Sequence, residues 1–593
     1  MSEPHDTPRQ LTIRAAATGA VLGALLVPCN VYSGLKIGWS FNMSIAAALL
    51  SCGFWGIARR GLGERRVVPW GLLENNVNQT CASSAASIIS AGLVAPIPAL
   101  TILTGQTLSW PVMAIWLFTV SCIGVLVGLA LRKQMLIIQE LPFPSGIATA
   151  ETVREIYAEG REATSRVRYL LGGGLLSAST KLFADFIYQL PQVGPAMGLG
   201  ALRLPTITTR SLGFVLDPSF LMIGFGAIVG LKVGLSLLLG AGVAWGFLAP
   251  WLFATGRVPL PIDGQTVYGT AVEFLLWPGV AMMVTSALVS FSFTLPGVFR
   301  SVLGSQASST NVDECELNSG VSKRLLAIGF VLATLATTIA QVSIFGIEPH
   351  MGLLAVMLTF VLAVVAARVS GETGIPPIGA LGKVTQLTFG FVNPTNVTEN
   401  LMTANVTGGA AGQCSDLLHD LKAGLLLGAS VRAQAAAQFL GVLVGSLAGS
   451  AAYLVLIPDP ATMLLTKEWP APAVATWKAV AELFRDGIDA APSGALTASI
   501  IGAIVGAALA IVQKLLPDKR ADWCPSAVSL GLAFVIPAFN SISLCLGAAL
   551  AAIATRLAPE WSRRFVLPIA AGLVAGESLA GVASALTTLL FSS

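Results

Sequence analysis

Charge is what this sequence has least of. Only 11% of its 593 residues are Asp, Glu, Lys or Arg, against about 25% in a soluble globular chain. The formal net charge is +4 and scattered, which excludes a nucleic-acid-binding face. Histidine occurs three times, at positions 5, 350 and 419. The eight cysteines stand singly, with no CxxC, so Cys29, Cys52, Cys81, Cys122, Cys414 and Cys545 read as small buried residues. No Walker loop, H-E-x-x-H motif or nucleophile–base arrangement is present, so nothing points to ATP hydrolysis, to an enzyme or to a cofactor. The N-terminus lacks the charged n-region and cleavage site of a secretory signal, and the apolar run from Ala15 reads as a retained span.

What fills the chain instead is apolar, at 54% of residues. Uncharged runs cover 15–35, 37–58, 75–131, 233–256, 274–299, 325–347, 433–458, 490–513 and 523–555. A spanning helix takes about 20 apolar residues, so the longest runs hold more than one element. Alternating segments of about 10 residues, the signature of a membrane β-barrel, are absent. The expected fold is an all-α polytopic membrane protein.

The chain also repeats itself. ELPFPSGIATAETVREIYAEG (Glu140–Gly160) returns as EWPAPAVATWKAVAELFRDG (Glu468–Gly487). GVLVG at Gly124–Gly128 returns at Gly441–Gly445, Glu74-Asn75 as Glu399-Asn400, and Pro218-Ser219 as Pro525-Ser526, all in the same order. Duplicated apolar chains point to transport. The expectation is about sixteen transmembrane helices in two halves, 1–324 and 325–593, some of them discontinuous.

Loops 59–75, 132–167 and 294–324, with the N-terminus and flanking residues, hold 15 basic residues; the opposite loops of that half hold Lys36, Arg203, Arg210 and Arg257. The positive-inside rule places the first set, both termini and both Pro-x-Pro turns in the cytoplasm. With an even count per half the two 8-helix repeats are expected to be parallel. Lys519, Arg520, Arg556, Arg563 and Arg564 fit this poorly, since they would face outside.

Polar residues in the spans are the candidate site. Glu74, Asn75, Asn76, Asn78 and Gln79 have repeat partners in Asn393, Asn396, Glu399, Asn400 and Asn405, followed by Gln413. Amides both donate and accept, which suits a zwitterionic solute; helix–helix hydrogen bonding is the bland alternative. Pro28 and Gly34 interrupt the first span, where Asn30, Tyr32 and Lys36 offer donors. The substrate-binding candidates are Asn30, Tyr32, Asn75, Gln79, Asn400, Asn405 and Gln413. Glu577 has no charged neighbour in sequence and falls mid-span, where an ionised carboxyl costs about 2.5–3.5 kcal/mol. It leads the proton-coupling candidates, followed by Glu399 and Glu74; Glu273 holds a similar place in the first half. Lys181 and Asp185, one turn apart, read as a structural pair. Asp416, His419 and Asp420 share a helical face at metal-ligand spacing, but an ion-paired helix end is the simpler reading, so no metal site is assigned.

ENNVNQTCASSAAS, LPFPSGIATAETV, DPSFLMIGFGAIVGLKVGLSLLLGAGVAWG and CSDLLHDLKAGLLLGAS resemble the oligopeptide transporter (OPT) superfamily, nearer its yellow-stripe-like and prokaryotic branch. The resemblance runs over nearly the whole chain. It implies two repeats of about eight helices and proton-coupled import of small peptides, glutathione-like compounds or metal chelates. Asn393-Pro394-Thr395 stands where the peptide branch has Asn-Pro-Gly, and no Lys-Ile-Pro-Pro-Arg occurs. The implied partners are a small-molecule substrate, protons and the lipid bilayer of a bacterial inner membrane, without nucleic acid, and a homo-oligomer is compatible with them. A passive channel and a Na⁺-coupled transporter are the alternatives.

Overall fold

In hydrocarbon no water satisfies backbone N–H and C=O groups, so each apolar run closes its own hydrogen bonds as helix. The computed structural model describes residues 10–38, 42–158, 160–199, 204–261, 266–303, 321–373, 376, 378–487, 492–521 and 523–591. Among them, eleven helices are long and apolar enough to cross a membrane. The α-helical membrane fold is as expected; the expected sixteen spans exceed these eleven. The loop 294–324 between the expected halves lies partly outside the described residues.

The first half contains α1 (Ile13–Ile37), α2 (Ser44–Leu62), α3 (Leu72–Ala86), α4 (Pro96–Thr104), α5 (Trp110–Arg132), α6 (Pro144–Ala158) and α7 (Gly160–Phe186). A short antiparallel pair, β1 (Gly198–Leu199) and β2 (Leu204–Thr208), precedes α8 (Phe220–Val229), α9 (Leu231–Ala254, with a π turn) and α10 (Val267–Leu303). Then follow α11 (Lys323–Phe345), α12 (Pro349–Thr373), α13 (Ile378–Val392), α14 (Val397–Leu427), α15 (Val431–Leu456), α16 (Pro472–Asp486), α17 (Ala495–Leu515), α18 (Ala527–Val535), α19 (Ala538–Leu557) and α20 (Pro559–Phe591).

The first span is not broken at Pro28 or Gly34 as expected: α1 runs continuously from Ile13 to Ile37 with Pro28 inside it. Discontinuous helices occur elsewhere. Ser219 and Ser526, each after a proline, accept from Met222 N and Ser529 N and so cap the short helices α8 and α18. The element begun by α3 breaks at Gly92, whose φ of 128° suits only glycine. The Asn405 side chain fills the break, and a Cβ on Gly92 would lie 2.7 Å from its Nδ2.

The two halves grip each other through their repeated motifs. Gly124 and Gly128 of α5 press on α14, where a Cβ at Gly124 would meet Ala410 O at 2.3 Å; Gly441 and Gly445 of α15 press on α3, with Cys81 O at 2.2 Å and Ala85 O at 2.5 Å. Small residues let backbones approach in lipid, where burial of apolar surface drives nothing. Likewise α7 packs on α20, α10 on α17, α8 on α19 and α9 on α18.

Direction departs from expectation. The α3 helix starts at the N-terminal end of α1, where Thr12 and Arg14 bind Glu74. Its counterpart α14 instead finishes near that end: Gln434, one turn into α15, donates to Asp420 O, and Ser430 N donates to Gln10 Oε1. The two Pro-x-Pro turns are separated in the same way. Phe143 N bonds Gly371 O at the end of α12, with Lys422 donating to Leu141 O, whereas Ala471 N bonds Leu35 O at the C-terminal end of α1. Parallel repeats with both turns on one face do not describe this arrangement. The physical reason is parity: three helices, α11, α12 and α13, precede α14, where two, α1 and α2, precede α3. The five misfit basic residues are thereby accommodated. Trp561 and Phe565 pack on Tyr169 near the start of α7, and Lys232 bonds Ala521 O. Arg563, Arg564, Arg556, Lys519 and Arg520 therefore lie toward the basic end of the bundle.

Candidate functional site

Helix ends, where polar backbone and charged side chains are tolerated, converge on one cavity of about 1230 Å³. It opens among the C-terminal ends of α1, α7 and α15, the N-terminal ends of α8 and α19, the second half of α20 and the segment before α16. Four cationic side chains line it (Lys36, Lys181, Arg210, Lys467) and four anionic ones (Asp185, Asp217, Glu468, Glu577). The wall is thus formally neutral but strongly dipolar.

Several of these charges are already held. Lys181 pairs with Asp185 at 2.6 Å, and Gln192 donates to Asp217 at 2.9 Å. Glu577 accepts from Ser219 Oγ and from Leu221 N, both at 2.8 Å, so its two oxygens hold the N-terminus of α8; the positive end of the helix dipole favours an anion there. Lys36 differs. Its ammonium donates to the Glu468 backbone carbonyl at 2.5 Å and lies over the rings of Trp469 (4.6 Å) and Tyr32 (5.6 Å). Among the described residues no carboxylate stands within ion-pair distance of it. Tyr32 and Trp469 meet edge to face at 5.2 Å, which fixes the cage.

The amide-rich residues lie elsewhere, buried between α3, α14 and their neighbours. Asn75 accepts from Ser51 Oγ and donates to Ala48 O; Asn400 exchanges hydrogen bonds with Gln386. Gln413 bonds Ser84 O and Gln438, Gln79 bonds Asn76 and Thr80, and Asn30 bonds Ala86 O. Both side-chain polar atoms of Asn405 are buried without a partner. Glu74 is bound by Arg14, Thr12 and Gly71 N; Glu399 Oε2 accepts from Asn393 and Asn396.

Compared with known families, the profile described as OPT oligopeptide transporter protein matches residues 10–588. The chain belongs to the OPT oligopeptide transporter family. A putative oligopeptide transporter of Saccharomyces cerevisiae is 24% identical over 97% of this chain and 95% of its own. A metal-nicotianamine transporter of Arabidopsis thaliana is 23% identical over 97% of this chain and 93% of its own. A putative oligopeptide transporter of Haemophilus influenzae is 26% identical, over 61% of this chain and 57% of its own. With its many apolar helices, this OPT family member is an integral membrane protein of a transporter family.

In this OPT protein, Tyr32 and Glu577 are the site candidates that reach the cavity; Asn30, Asn75, Gln79, Asn400, Asn405 and Gln413 are absent from its wall. Sequence reasoning passed over Arg210, Asp217, Lys467 and Glu468, which come from segments between helices and carry no periodic signal. The Pro-x-Pro repeat was the available clue to Glu468, which precedes the second copy. Lys383 was also missed: it is 4% exposed, donates to Gln386 and sits 4.4 Å over the Trp477 ring.

Proposed function

We propose that this protein is a secondary-active, proton-coupled importer of small peptide-like or metal-chelate compounds. The observation that carries the reading is the dipolar cavity, in whose wall Lys36 and Lys467 have no ion-pair partner among the described residues. A compact zwitterion with free carboxylates complements such a wall, and Lys36 supplies a charge-assisted donor for one of them. The names of the yeast and plant relatives fall in the same solute class.

The reading takes 1–324 and 325–593 as repeats of opposite direction rather than parallel ones, an architecture that supports alternating access by rocking one repeat against the other. What supports it is the pairing of each Pro-x-Pro turn with the other half's helix end, and the crossed gripping of the GVLVG motifs. With the basic end in a bacterial cytoplasm, the cavity faces outward. Glu577 is the proton carrier of this scheme: protonation removes its charge from the α8 N-terminus and loosens the wall. Glu399 and Glu74 are secondary candidates. The amides Asn30, Asn75, Gln79, Asn400, Asn405 and Gln413 form the inter-helix surface that re-pairs, and meets solute, as the cavity reopens on the other side.

The test has two stages. Thermal stabilisation of the purified protein by di- to pentapeptides, glutathione and metal chelates identifies the solute. Proteoliposomes with an inward proton gradient should then concentrate that solute above equilibrium. Equal concentrations inside and out would mean a channel, and accumulation that follows Na⁺ but not protons would mean a Na⁺-coupled carrier.

A further inference from the structure

Lys383 of α13 is a buried cation that the transport scheme leaves unused. It is 4% exposed, and its ammonium donates to Gln386 Oε1 at 2.8 Å beneath the Trp477 ring of α16, 4.4 Å away. No ion pair among the described residues includes it. Glu399, which precedes Asn400 in α14, is turned to Asn393 and Asn396 through Oε2. The neighbouring amides are engaged with one another: Gln386 Nε2 donates to Asn400 Oδ1 (3.0 Å) and Trp477 O (3.2 Å), and Asn400 Nδ2 donates to Gln386 O (2.7 Å). Three ammonium hydrogens thus meet one amide oxygen and one ring face. A buried charge without a counter-charge works against stability, so a use for it is to be sought.

Lys36 is built in the same way, with one neutral oxygen, a tryptophan ring and no carboxylate at ion-pair distance. Both rings belong to the second Pro-x-Pro copy. Trp469 precedes its first proline, and Trp477 stands in the helix that follows the second. One segment therefore caps two lysines.

That segment has room to move. Helix α16 packs on α1, α4, α13 and α14, while its Ala475, Lys478 and Glu482 border a second cavity of about 700 Å³, shared with Tyr268 and Trp277 of α10. Leu465 and Pro470 line this second cavity, whereas Lys467, Glu468 and Trp469 line the first, so the connection into α16 runs between the two spaces. Leu465 and Ala471 hold φ values of 60° and 42°, a left-handed backbone that disfavours side chains. Such outliers gather at clamps and switching segments. Near its far end α16 rests on α13 through Phe484, where a Cβ on Gly390 would lie 2.6 Å from Cγ.

We infer that Lys383 is a second carboxylate-binding site and that α16 is its movable cover. The assignment rests on the transport reading above. A solute carboxylate on Lys36 competes with the Glu468 carbonyl, α16 swings toward the second cavity, and another carboxylate of the solute takes the free N–H groups of Lys383.

The cover is tested on the purified protein without solute. Cysteines at positions 390 and 484 fall within disulfide reach, and the bond would tie α16 to α13. Acetylation of Lys383, read by mass spectrometry, should be about tenfold or more slower in oxidised Gly390→Cys/Phe484→Cys than in the same protein reduced by a phosphine, because the open form is a minor state. The exposed Lys323 should label equally in both, and Phe484→Cys alone should behave like the reduced pair. Equal labelling of Lys383 in both states, or none in either, overturns the cover. The carboxylate is tested by binding of glutathione, which has two, and of its two monoamides. Wild type should prefer glutathione to each monoamide by about tenfold or more. Lys36→Met should lose the preference over one monoamide and Lys383→Met the preference over the other. If Lys383→Met does not fold, wild-type Lys383 should be protected from acetylation by glutathione and by one monoamide only. A Lys383→Met protein that keeps both preferences, or loses the same one as Lys36→Met, overturns the second site and leaves the transport reading standing. Glutathione that does not bind wild type sinks the peptide-like solute of that reading and the carboxylate assignment with it, while the labelling still decides the cover.

Discussion

Replacing Lys36 with Met is the sharpest probe of the cavity, because it keeps the aliphatic stem between Tyr32 and Trp469 and deletes only the ammonium. That ammonium has one backbone acceptor, Glu468 O, and two rings, so a solute carboxylate would be its ion-pair partner at contact distance. Hydrogen bonds to charged groups contribute about 1.5–3 kcal/mol. At 1.36 kcal/mol per decade, the apparent KM for a carboxylated solute should rise about tenfold to 150-fold, with the lower end expected if the cavity is well hydrated. The assay compares uptake of the best-stabilised compound with that of its C-terminal carboxamide, in wild type and Lys36→Met. Wild type should prefer the acid, and the variant should lose that preference while handling the amide almost as before. If both proteins discriminate acid from amide equally, Lys36 is not the anchor and the charge-complementarity argument fails.

Glu577→Gln should abolish acid-stimulated uptake yet leave solute binding, read by thermal stabilisation; full proton-driven uptake would remove Glu577 from the coupling scheme. Arg14→Met strands the Glu74 carboxylate, whose side chain is 4% exposed. Breaking one side of a buried pair costs about 3–5 kcal/mol, and because Arg14 is 24% exposed the lower end is expected, seen as a fall in melting temperature. Gly547→Ala would set a Cβ 1.9 Å from Ile223 O, a clash with backbone that costs about 1–3 kcal/mol; an unchanged melting temperature would refute the close packing of α19 on α8.

Much of the fold was legible because hydrocarbon imposes it. Composition required helices, and the GVLVG echoes proved to be matching contact surfaces. Direction was not legible. Parity decided it, and no motif in 323–392 marks that three helices, rather than two, lead into α14. The site was readable only in part. Tyr32 and Glu577 stood out as polar groups inside apolar runs, whereas Arg210, Asp217 and Lys467 lie in polar segments where one more charge means nothing by itself. The paired amides of α3 and α14 were conspicuous for the opposite reason: buried amides must pair with something, and here the partner is another helix.

The Pro-x-Pro turns carry a consequence for biogenesis. Phe143 and Ala471 each hold a positive φ, 45° and 42°, a conformation that disfavours side chains by about 1–2 kcal/mol. Each is steadied by a carbonyl of the other half, Gly371 or Leu35. A ribosome that has released only the first 324 residues has made one latch and the keeper of the other, with neither closed. The end of α1 and its cage around Lys36 wait for residues 468–472, and the cavity wall waits for α20. On the proposed transport reading, a chain that binds solute in this cavity has been synthesised almost to its last helix, so solute would report completed assembly before any transport begins.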